Sequence, residues 1–419
     1  MLAQSPSSCP RYVRHYAVSE SHVGLVTQED DAVGGDLTNA STLKITLLSG
    51  TAKQWLDFGE KIPGGTRVYV KVSTLNGVLA LLPNFTIQGY VNSPGKPVIA
   101  EQKLENPQLL GLANGTAILE LSLAPNQDFD GIVITVNGVG LAFSMQVYAA
   151  YILKETTLPI ACEGVADVLS GVLPGLNALG LGEVAHPERA ADNDLATFAE
   201  MKLTLNIGSI FETVIFNTPA MPGDSVRVVL EWPEGNLLDL LLLGGFSIQP
   251  HLGDVPVPPA ITNAATGLQL RLLAPGSTIA ILTAPVSGSF DRVEIKLTAV
   301  AGLLLNLKLY EVSRLAKLPV TSFALNGAPG PDPVCITQAA GISLSVAPAE
   351  GCALYRWYNG TTLIGTGTTV SPSITTAGLH TFNVEAQRTG CTNREAHAQV
   401  SVNVIPKAGP PAVTIQNNP

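Results

Sequence analysis

The chain is dominated by short segments in which apolar and polar residues alternate with period two. Clear examples are RVYVKV from Arg67, AILELSL from Ala117, GIVITV from Gly131, SVRVVLEW from Ser225, RVEIKL from Arg292 and LNLKLYEV from Leu305. Neighbouring side chains on a strand point to opposite faces, so this alternation indicates antiparallel strands with one buried face. Turn-forming segments such as PGG, NG and PGS separate the runs. The pattern predicts an all-β chain of sandwich or jelly-roll type.

The same pattern occurs twice at a nearly constant spacing. Four positions reappear 158 residues later, as the pairs Asp36 and Asp194, Lys44 and Lys202, Phe58 and Phe216, and Gly65 and Gly223. Further along, FTIQ at Phe85 matches FSIQ at Phe246, and FDGIVITV at Phe129 matches FDRVEIKL at Phe290, both at a spacing of 161. Matches that keep one order indicate an internal duplication. We therefore predict two homologous β-sandwich (jelly-roll-like) modules, at 9–158 and 159–320.

A third module is predicted after SFALNGAPGPDP, a segment rich in Pro and Gly that ends near Pro333. Short alternating segments follow, among them ISLSV, ALYRWY with Trp357, HTFNVEA and AQVSVNV. Several strands in so short a span are typical of a small immunoglobulin-like sandwich. We therefore predict a linker at 321–333, an immunoglobulin-like domain at 334–405, and a tail or linker at 406–419.

Charge and hydropathy narrow the classes of partner. Charged residues make up 13% of the chain, and the formal net charge is -10. Nucleic acid is not an expected partner, because binding phosphates requires clustered Lys and Arg. The most apolar run, LLDLLLLGG from Leu237, contains Asp239 and is shorter than the ~20 residues needed to cross a bilayer. We therefore predict no transmembrane segment.

Four features of the third module carry a family resemblance: an opening Cys335, the pair Trp357 and Tyr358, the segment LIGTG at 363–367, and Cys391 followed by Arg394. In these features it resembles the immunoglobulin-like repeats of large secreted surface proteins of the Bacteroidota. The first two modules resemble the galactose-binding-like jelly rolls that accompany such repeats, through A..GDLT.AS and AADNDLATFA. The resemblance implies secretion to the extracellular space or cell surface, and a chain that is a segment of a larger protein.

Five cysteines in a β chain rich in Thr, Asn and Gly favour an oxidising compartment. The family pattern implies a disulfide between Cys335 and Cys391, with Cys352 either spare or the true partner. Cys9 and Cys162 open the first two modules. Because jelly-roll termini often lie close together, we predict a bridge between these two, with two reduced thiols as the alternative.

The acidic turns hold the candidate metal ligands, Asp36 in module one and Asp192 and Asp194 in module two. Oxygen ligands on a loop are what Ca²⁺ requires. Asp and Asn also form Asx turns. We favour Asx turns, with a structural calcium ion as the alternative, and we predict no other cofactor.

Candidate ligand-binding residues are few. Aromatic residues are 5% of the chain, and Trp55, Trp232 and Trp357 lie in strand-like patterns that indicate burial. Tyr90 and His251 are expected in loops after the matched FTIQ and FSIQ strands, where they are candidates for contact with a ligand. Sugars stack on aromatic rings and hydrogen-bond at their edges, so a sugar is the ligand class considered.

The function favoured by these features is non-catalytic. The sequence contains no GxSxG, HExxH, Walker or Cys-His metal motif. A glycoside hydrolase would need a pair of carboxylates across a cleft, and no pair is suggested. We predict an extracellular structural or adhesive protein, such as a stalk, adhesin or fibre segment, with other modules or copies of itself as partners. Strand addition by AVTIQ near the C-terminus would give filaments. The alternative is a carbohydrate-binding module pair that recognises surface glycans.

Overall fold

A computed structural model describes the chain at residues 9–46, 50–74, 84–92, 96–99, 104–105, 118–138, 142–173, 182–203, 208–232, 245–262, 268–274, 277–298, 305–347, 349–350, 352–392, 396–407 and 409. It divides into a larger compact unit, Arg11–Thr156 with Ala161–Leu315, and a smaller unit built mainly on Ala316–Pro419. The fold is all-β, which confirms the predicted fold class. The module boundaries predicted at 9–158, 159–320 and 334–405 stay predictions.

The first half of the larger unit, called module one here, is a two-sheet sandwich. Its strands are β1 (Tyr12–Tyr16), β2 (Ser19–Val23), β3 (Leu25–Thr27), β4 (Ser41–Ile45), β5 (Thr51–Ile62), β6 (Val68–Thr74), β7 (Asn84–Tyr90), β8 (Leu104–Glu105), β9 (Ile118–Leu123), β10 (Phe129–Asn137) and β11 (Phe143–Glu155), with a 3₁₀ turn at Glu29–Ala32. One sheet has the order β3-β4-β11-β6-β9, with β1 also on β11, and the other has the order β2-β5-β10-β7-β8.

The second half of this unit, module two, repeats that arrangement. Its strands are β12 (Val165–Leu173), β13 (Gly182–Ala185), β14 (Ala199–Leu203), β15 (Ser209–Phe216), β16 (Ser225–Glu231), β17 (Phe246–Leu252), β18 (Val255–Pro256), β19 (Gln269–Leu272), β20 (Ile279–Pro285), β21 (Arg292–Thr298) and β22 (Leu305–Leu315), with a 3₁₀ turn at Pro187–Ala191. The orders are β12-β15-β21-β17-β18 and β13-β14-β22-β16-β20-β19. Apart from β1 in module one and β19 in module two, each strand has a counterpart at the same place in the other module.

Alternation along the strands explains both cores. On β5 the even-numbered residues from Ala52 to Phe58 are buried, while Lys53, Trp55 and Asp57 lie on the outer face. The inner residues of the two sheets of each module form one apolar cluster, and the equivalent residues Phe58 and Phe216 belong to the two clusters. The core of each module therefore follows directly from the period-two pattern.

The smaller unit contains a third sandwich. Its strands are β23 (Thr321–Leu325), β24 (Ala328–Pro329), β25 (Val334–Cys335), β26 (Ile342–Val346), β27 (Ala353–Asn359), β28 (Thr362–Thr366), β29 (Thr369–Val370), β30 (Gly378–Arg388) and β31 (Ala396–Ile405), with a 3₁₀ turn at Ile336–Gly341. The sheets have the orders β24-β23-β26-β29 and β25-β31-β30-β27-β28. Trp357 is fully buried at the centre, and its Nε1 donates a hydrogen bond to the carbonyl of Gly367 at 3.0 Å.

The linker prediction at 321–333 is wrong, because β23 and β24 lie within that range. β23 pairs with β26, and Phe323 and Leu325 pack against the core of the third sandwich. Pro and Gly are frequent in the segment because it turns tightly. Gly330 lies so close to Phe323 that a Cβ atom there would be 1.9 Å from its ring.

Both predicted disulfides are wrong. Cys9 is bonded to Cys352, and Cys335 is a free thiol. Cys162 and Cys391 are also oxidised. Distance rules out the predicted bond between Cys335 and Cys391. Cys335 pairs with the last residue of β31, close to Gly378 at the start of β30, whereas Cys391 follows the other end of β30. That strand has 11 residues, so its ends are roughly 33 Å apart at ~3.3 Å a residue. A disulfide requires Cα atoms within about 7 Å.

Candidate functional site

The two modules of the larger unit meet across buried ion pairs. Lys71 on β6 contacts Asp167 on β12 at 2.9 Å, and Glu120 on β9 contacts Arg292 on β21 at 2.7 Å. The side chains of Glu120 and Arg292 are 1% and 6% exposed. A third pair, Arg67 with Asp254 at 2.8 Å, lies nearer the surface. Buried charges are tolerated only when they are paired, so these contacts fix how the two sandwiches dock.

Arg292 is the centre of this network. Burial by itself lowers its pKa, but the carboxylates of Glu120 and Asp291 outweigh burial and raise the pKa of the guanidinium well above its ordinary value. Asp291 accepts from both Nε and Nη2 of Arg292, at 3.0 and 3.1 Å. Tyr151 donates to the other oxygen of Glu120 at 2.8 Å. Arg292 therefore stays charged, and each of its three side-chain nitrogens contacts a carboxylate.

Beside the network lies a cavity of about 170 Å³. Its apolar wall is Leu119, Leu169 and Phe211. Its polar wall consists of groups from β9, β15, β17, β21 and the turn after β17, namely Glu120, Thr213, His251, Gly253, Asp254, Arg292 and Glu294. Leu119 and Glu120 come from module one and the remaining residues from module two, so the cavity requires both modules.

The polar groups of the cavity differ in how much hydrogen-bonding capacity they have left. Arg292 is occupied by Glu120 and Asp291, and Asp254 by Arg67. Among the described residues, no hydrogen-bond partner is found for the buried Nε2 of His251. Glu294 and Thr213 lie opposite each other on paired strands. These last three side chains are the ones available to a ligand.

His251 is uncharged near neutral pH. Burial lowers its pKa below the ordinary value, and the carboxylate of Glu294 only partly opposes this. The ring also hydrogen-bonds the backbone of Asp254. A neutral imidazole with one free nitrogen can form one hydrogen bond to a hydroxyl group.

The predicted ligand residues Tyr90 and His251 occupy equivalent places in the two modules. The expectation that they lie in loops is wrong, since Tyr90 ends β7 and His251 is the penultimate residue of β17. Tyr90 pairs with Gly131, and His251 pairs with Arg292, the residue 161 positions after Gly131. Their role as ligand residues stays a prediction.

Around Tyr90, module one carries a polar and aromatic cluster on its outer face. The Tyr90 hydroxyl donates to Asp57 Oδ2 at 2.8 Å, and Asn92 Nδ2 donates to the same oxygen at 3.0 Å. Burial first, and the hydrogen bond to Asp57 second, raise the pKa of Tyr90 well above its ordinary value. Lys96 Nζ lies 4.9 Å from the centroid of the Trp55 ring and 5.9 Å from that of Tyr90. Of the three tryptophans, Trp232 and Trp357 are buried as expected, whereas Trp55 is half-buried.

The acidic turns form Asx turns in both modules. Asp36 Oδ1 accepts from the backbone N–H of Thr38, and Asp194 Oδ1 accepts from that of Ala196, each at 2.9 Å. Asp192 accepts from the backbone of Asp194 at 2.8 Å and from Thr197. No group of three metal-ligating side chains is found in the part of the chain that the structure describes. A structural calcium ion at Asp36, Asp192 or Asp194 stays a prediction.

Comparison with known proteins finds structural matches of low identity and low TM-score. No family model matches the sequence, and no curated protein matches it. A fucolectin from striped bass serum is 13% identical, with a TM-score of 0.22, over 74% of this chain and 97% of that one. A truncated AlyQ with CBM32 and alginate lyase domains is 9% identical, with a TM-score of 0.24, over 74% of this chain and 100% of that one. An allantoicase is 9% identical, with a TM-score of 0.23, over 64% and 77%.

Among the described residues, no helix is long and apolar enough to cross a membrane. Four of the five cysteines are oxidised, which fits an extracellular protein.

Proposed function

We propose that this chain is an extracellular, non-catalytic carbohydrate-binding protein that holds one neutral sugar ring in the cavity between the two modules of its larger unit. The observation that supports this most is the cavity itself, with an apolar wall on one side and, on the other, three side chains that keep hydrogen-bonding capacity within the described structure: Thr213, Glu294 and, through Nε2, His251. A sugar ring needs this combination, because its C–H faces are apolar and its edges carry hydroxyl groups.

The size of the cavity suits a single ring. A cavity of roughly 150 Å³ accommodates benzene, and this one measures about 170 Å³. Thr213 can donate and accept, the Glu294 carboxylate accepts, and His251 Nε2 offers one further hydrogen bond. Pairs of adjacent hydroxyl groups match such a set of donors and acceptors.

The charges around the cavity favour a neutral ligand. The carboxylates of Glu120, Asp254, Asp291 and Glu294 outnumber the guanidinium groups of Arg67 and Arg292. An anionic sugar would bring a further negative charge into a desolvated site and be disfavoured.

The test is calorimetric titration of the full chain with a panel of neutral hexoses, a deoxyhexose, a uronic acid and an amino sugar. We expect one of the neutral sugars to bind, and Glu294→Gln or Thr213→Val to weaken that binding at least ~10-fold, which corresponds to ~1.4 kcal/mol. Glu155→Gln, an exposed acid at the end of β11, is the matched control. The proposal fails if no neutral sugar binds, or if both cavity variants bind as the wild type does.

A structural role as a stalk, adhesin or fibre segment is the second candidate, and the buried ion pairs that lock the two modules favour it. Rigid docking is what an extended extracellular protein needs. The segment AVTIQ and most of the tail predicted at 406–419 lie outside the described residues. Self-assembly therefore stays a prediction, to be checked by electron microscopy of the full chain and of a chain lacking the last fourteen residues.

A further inference from the structure

The outer face of the sheet β2-β5-β10-β7-β8 in module one is the counterpart of the sheet face that lines the cavity in module two. Trp55 stands 158 residues before Thr213, and Tyr90 stands 161 before His251. The ion pairs between the modules use the other sheet of module one, through Lys71 on β6 and Glu120 on β9. Its β2-β5-β10-β7-β8 face therefore has no part in those contacts.

We infer that Trp55 and Lys96 form a second binding site on this face, one that takes an anionic sugar residue. The inference goes beyond the cavity, because its residues and its ligand chemistry are different.

The carboxylates of the cluster are already occupied. Asp57 Oδ1 accepts from the N–H of Gly59 at 2.7 Å, while Oδ2 accepts from Tyr90 and Asn92. Asp130 Oδ2 accepts from the N–H of Asn92 at 2.6 Å. These hydrogen bonds hold the strand ends and leave little acceptor capacity for a ligand.

Lys96, in contrast, has donors to spare. An ammonium group has three N–H donors, and among the described residues its only hydrogen bond is to Ser21 Oγ. No carboxylate of the described chain forms an ion pair with it. Its charge is held instead over the rings of Trp55 and Tyr90. A ligand carboxylate or sulfate would give this ammonium the charged partner that it lacks.

Trp55 supplies the other half of the site. Its ring is half-buried, and its buried Nε1 has no hydrogen-bond partner among the described residues. An indole beside an ammonium group presents an apolar surface and a positive charge together. A sugar ring that carries an anionic group matches both, since its C–H groups can pack against the part of the indole that Lys96 does not cover while the anion contacts Lys96.

The test is fluorescence titration of the full chain with three oligosaccharides of equal length: oligogalacturonate, a sulfated galactan fragment and a neutral β-glucan fragment. Trp232 and Trp357 are buried, so Trp55 is the expected reporter. We expect at least one anionic oligosaccharide to change the emission, and Lys96→Gln to weaken its binding at least ~10-fold. The relative response to carboxylate and sulfate then identifies the anion.

A charge-matched control separates a specific contact from a general effect of charge. Lys44→Gln, on the other sheet of module one, removes one positive charge as Lys96→Gln does and should leave binding unchanged. Trp55→Phe should abolish the signal, and calorimetry then reports whether binding itself is weakened. The inference is overturned if the neutral oligosaccharide changes the Trp55 emission as strongly as the anionic ones, if no oligosaccharide changes it, or if Lys96→Gln responds like the wild type.

Discussion

Glu212 on β15 is fully buried, and neither of its carboxyl oxygens has a hydrogen-bond partner among the described residues. The equivalent residue of module one is Gln54, which accepts from Ser41 Oγ at 2.7 Å and donates to the carbonyl of Glu29 at 2.9 Å. Module two has Ala199 where module one has Ser41. Burial, and to a smaller degree the charge of Glu188, raise the pKa of Glu212 well above its ordinary value. Burial therefore favours the protonated form of Glu212 in the folded chain.

We expect this residue to make the larger unit less stable as pH rises. The unfolded chain releases the Glu212 proton near the ordinary value of about 4.3, whereas the folded chain keeps it, so stability is complete below that pH and falls above it. The slope is about -1.4 kcal/mol per pH unit until the folded state titrates.

Glu212→Gln should remove this dependence and be more stable than the wild type at pH 8 by at least ~1 kcal/mol. Urea unfolding between pH 4 and 9 measures the effect. Glu183→Gln, an exposed acid on β13, is the control and should keep the wild-type profile. Equal pH profiles for Glu212→Gln and the wild type would show that Glu212 is ionised or solvated in the folded state.

The number of free thiols can also be predicted from a single residue, Cys335. It is the single free thiol, and hydrogen bonds from Thr337 lower its pKa. Thiol titration of the unreduced, denatured chain should therefore find one thiol per molecule, and Cys335→Ser should remove it. Three thiols, or none, would contradict the observed pairing.

At the scale of the element, β23 shows why local composition can mislead. Asn326, Gly327, Pro329 and Gly330 are typical of a turn, and the segment that holds them reads as a linker. Only two apolar residues, Phe323 and Leu325, carry the alternation, and two are too few to establish the period-two pattern of a strand. The pairing with β26 that makes it a strand is a tertiary contact, which the local sequence does not encode.

We expect Phe323→Ala to destabilise the smaller unit by ~1–3 kcal/mol, below the range for a fully buried Phe because this side chain is only half-buried. Thermal unfolding measures the change. Leu379→Ala is the control, since Leu379 is 71% exposed and should have almost no effect. If Phe323→Ala were as stable as the wild type, the segment would be a linker after all.

The sequence predicted the strands from their local period-two alternation, and the duplication from ordered matches at a spacing of 158 to 161 residues. It did not predict the disulfides, because pairing depends on which strand ends meet. Trp55 was expected to be buried since it lies in a strand-like pattern, but the inner face of β5 begins at Ala52, which places Trp55 on the outer face. Tyr90 and His251 were found through the repeat, whereas Glu294 and Thr213 gave no local signal. Their relation depends on the pairing of β15 with β21.

At the scale of the whole molecule, the buried charges between the two modules couple their stabilities. Glu120→Ala would leave Arg292 buried with one carboxylate partner fewer. Removing one member of a buried pair typically costs 3–5 kcal/mol, so we expect a loss of about that size in the larger unit. Differential scanning calorimetry should show a lower midpoint or a transition that splits in two.

The control for this prediction is Lys61→Ala. Lys61 and Asp128 form an exposed pair at 3.6 Å, with side chains 65% and 58% exposed, and exposed pairs contribute ~0–1 kcal/mol. If Glu120→Ala and Lys61→Ala shifted the midpoint equally, the modules would not depend on the buried pair for docking.

The duplication also bears on how the two copies could diverge. Position 292 faces its partner module and holds Arg, while its counterpart at 131 holds Gly. A substitution at Arg292 would have to be compensated by one at its ion-pair partner Glu120, and a substitution at Lys71 by one at its partner Asp167. Among descendants of the same duplication, these pairs should therefore change together.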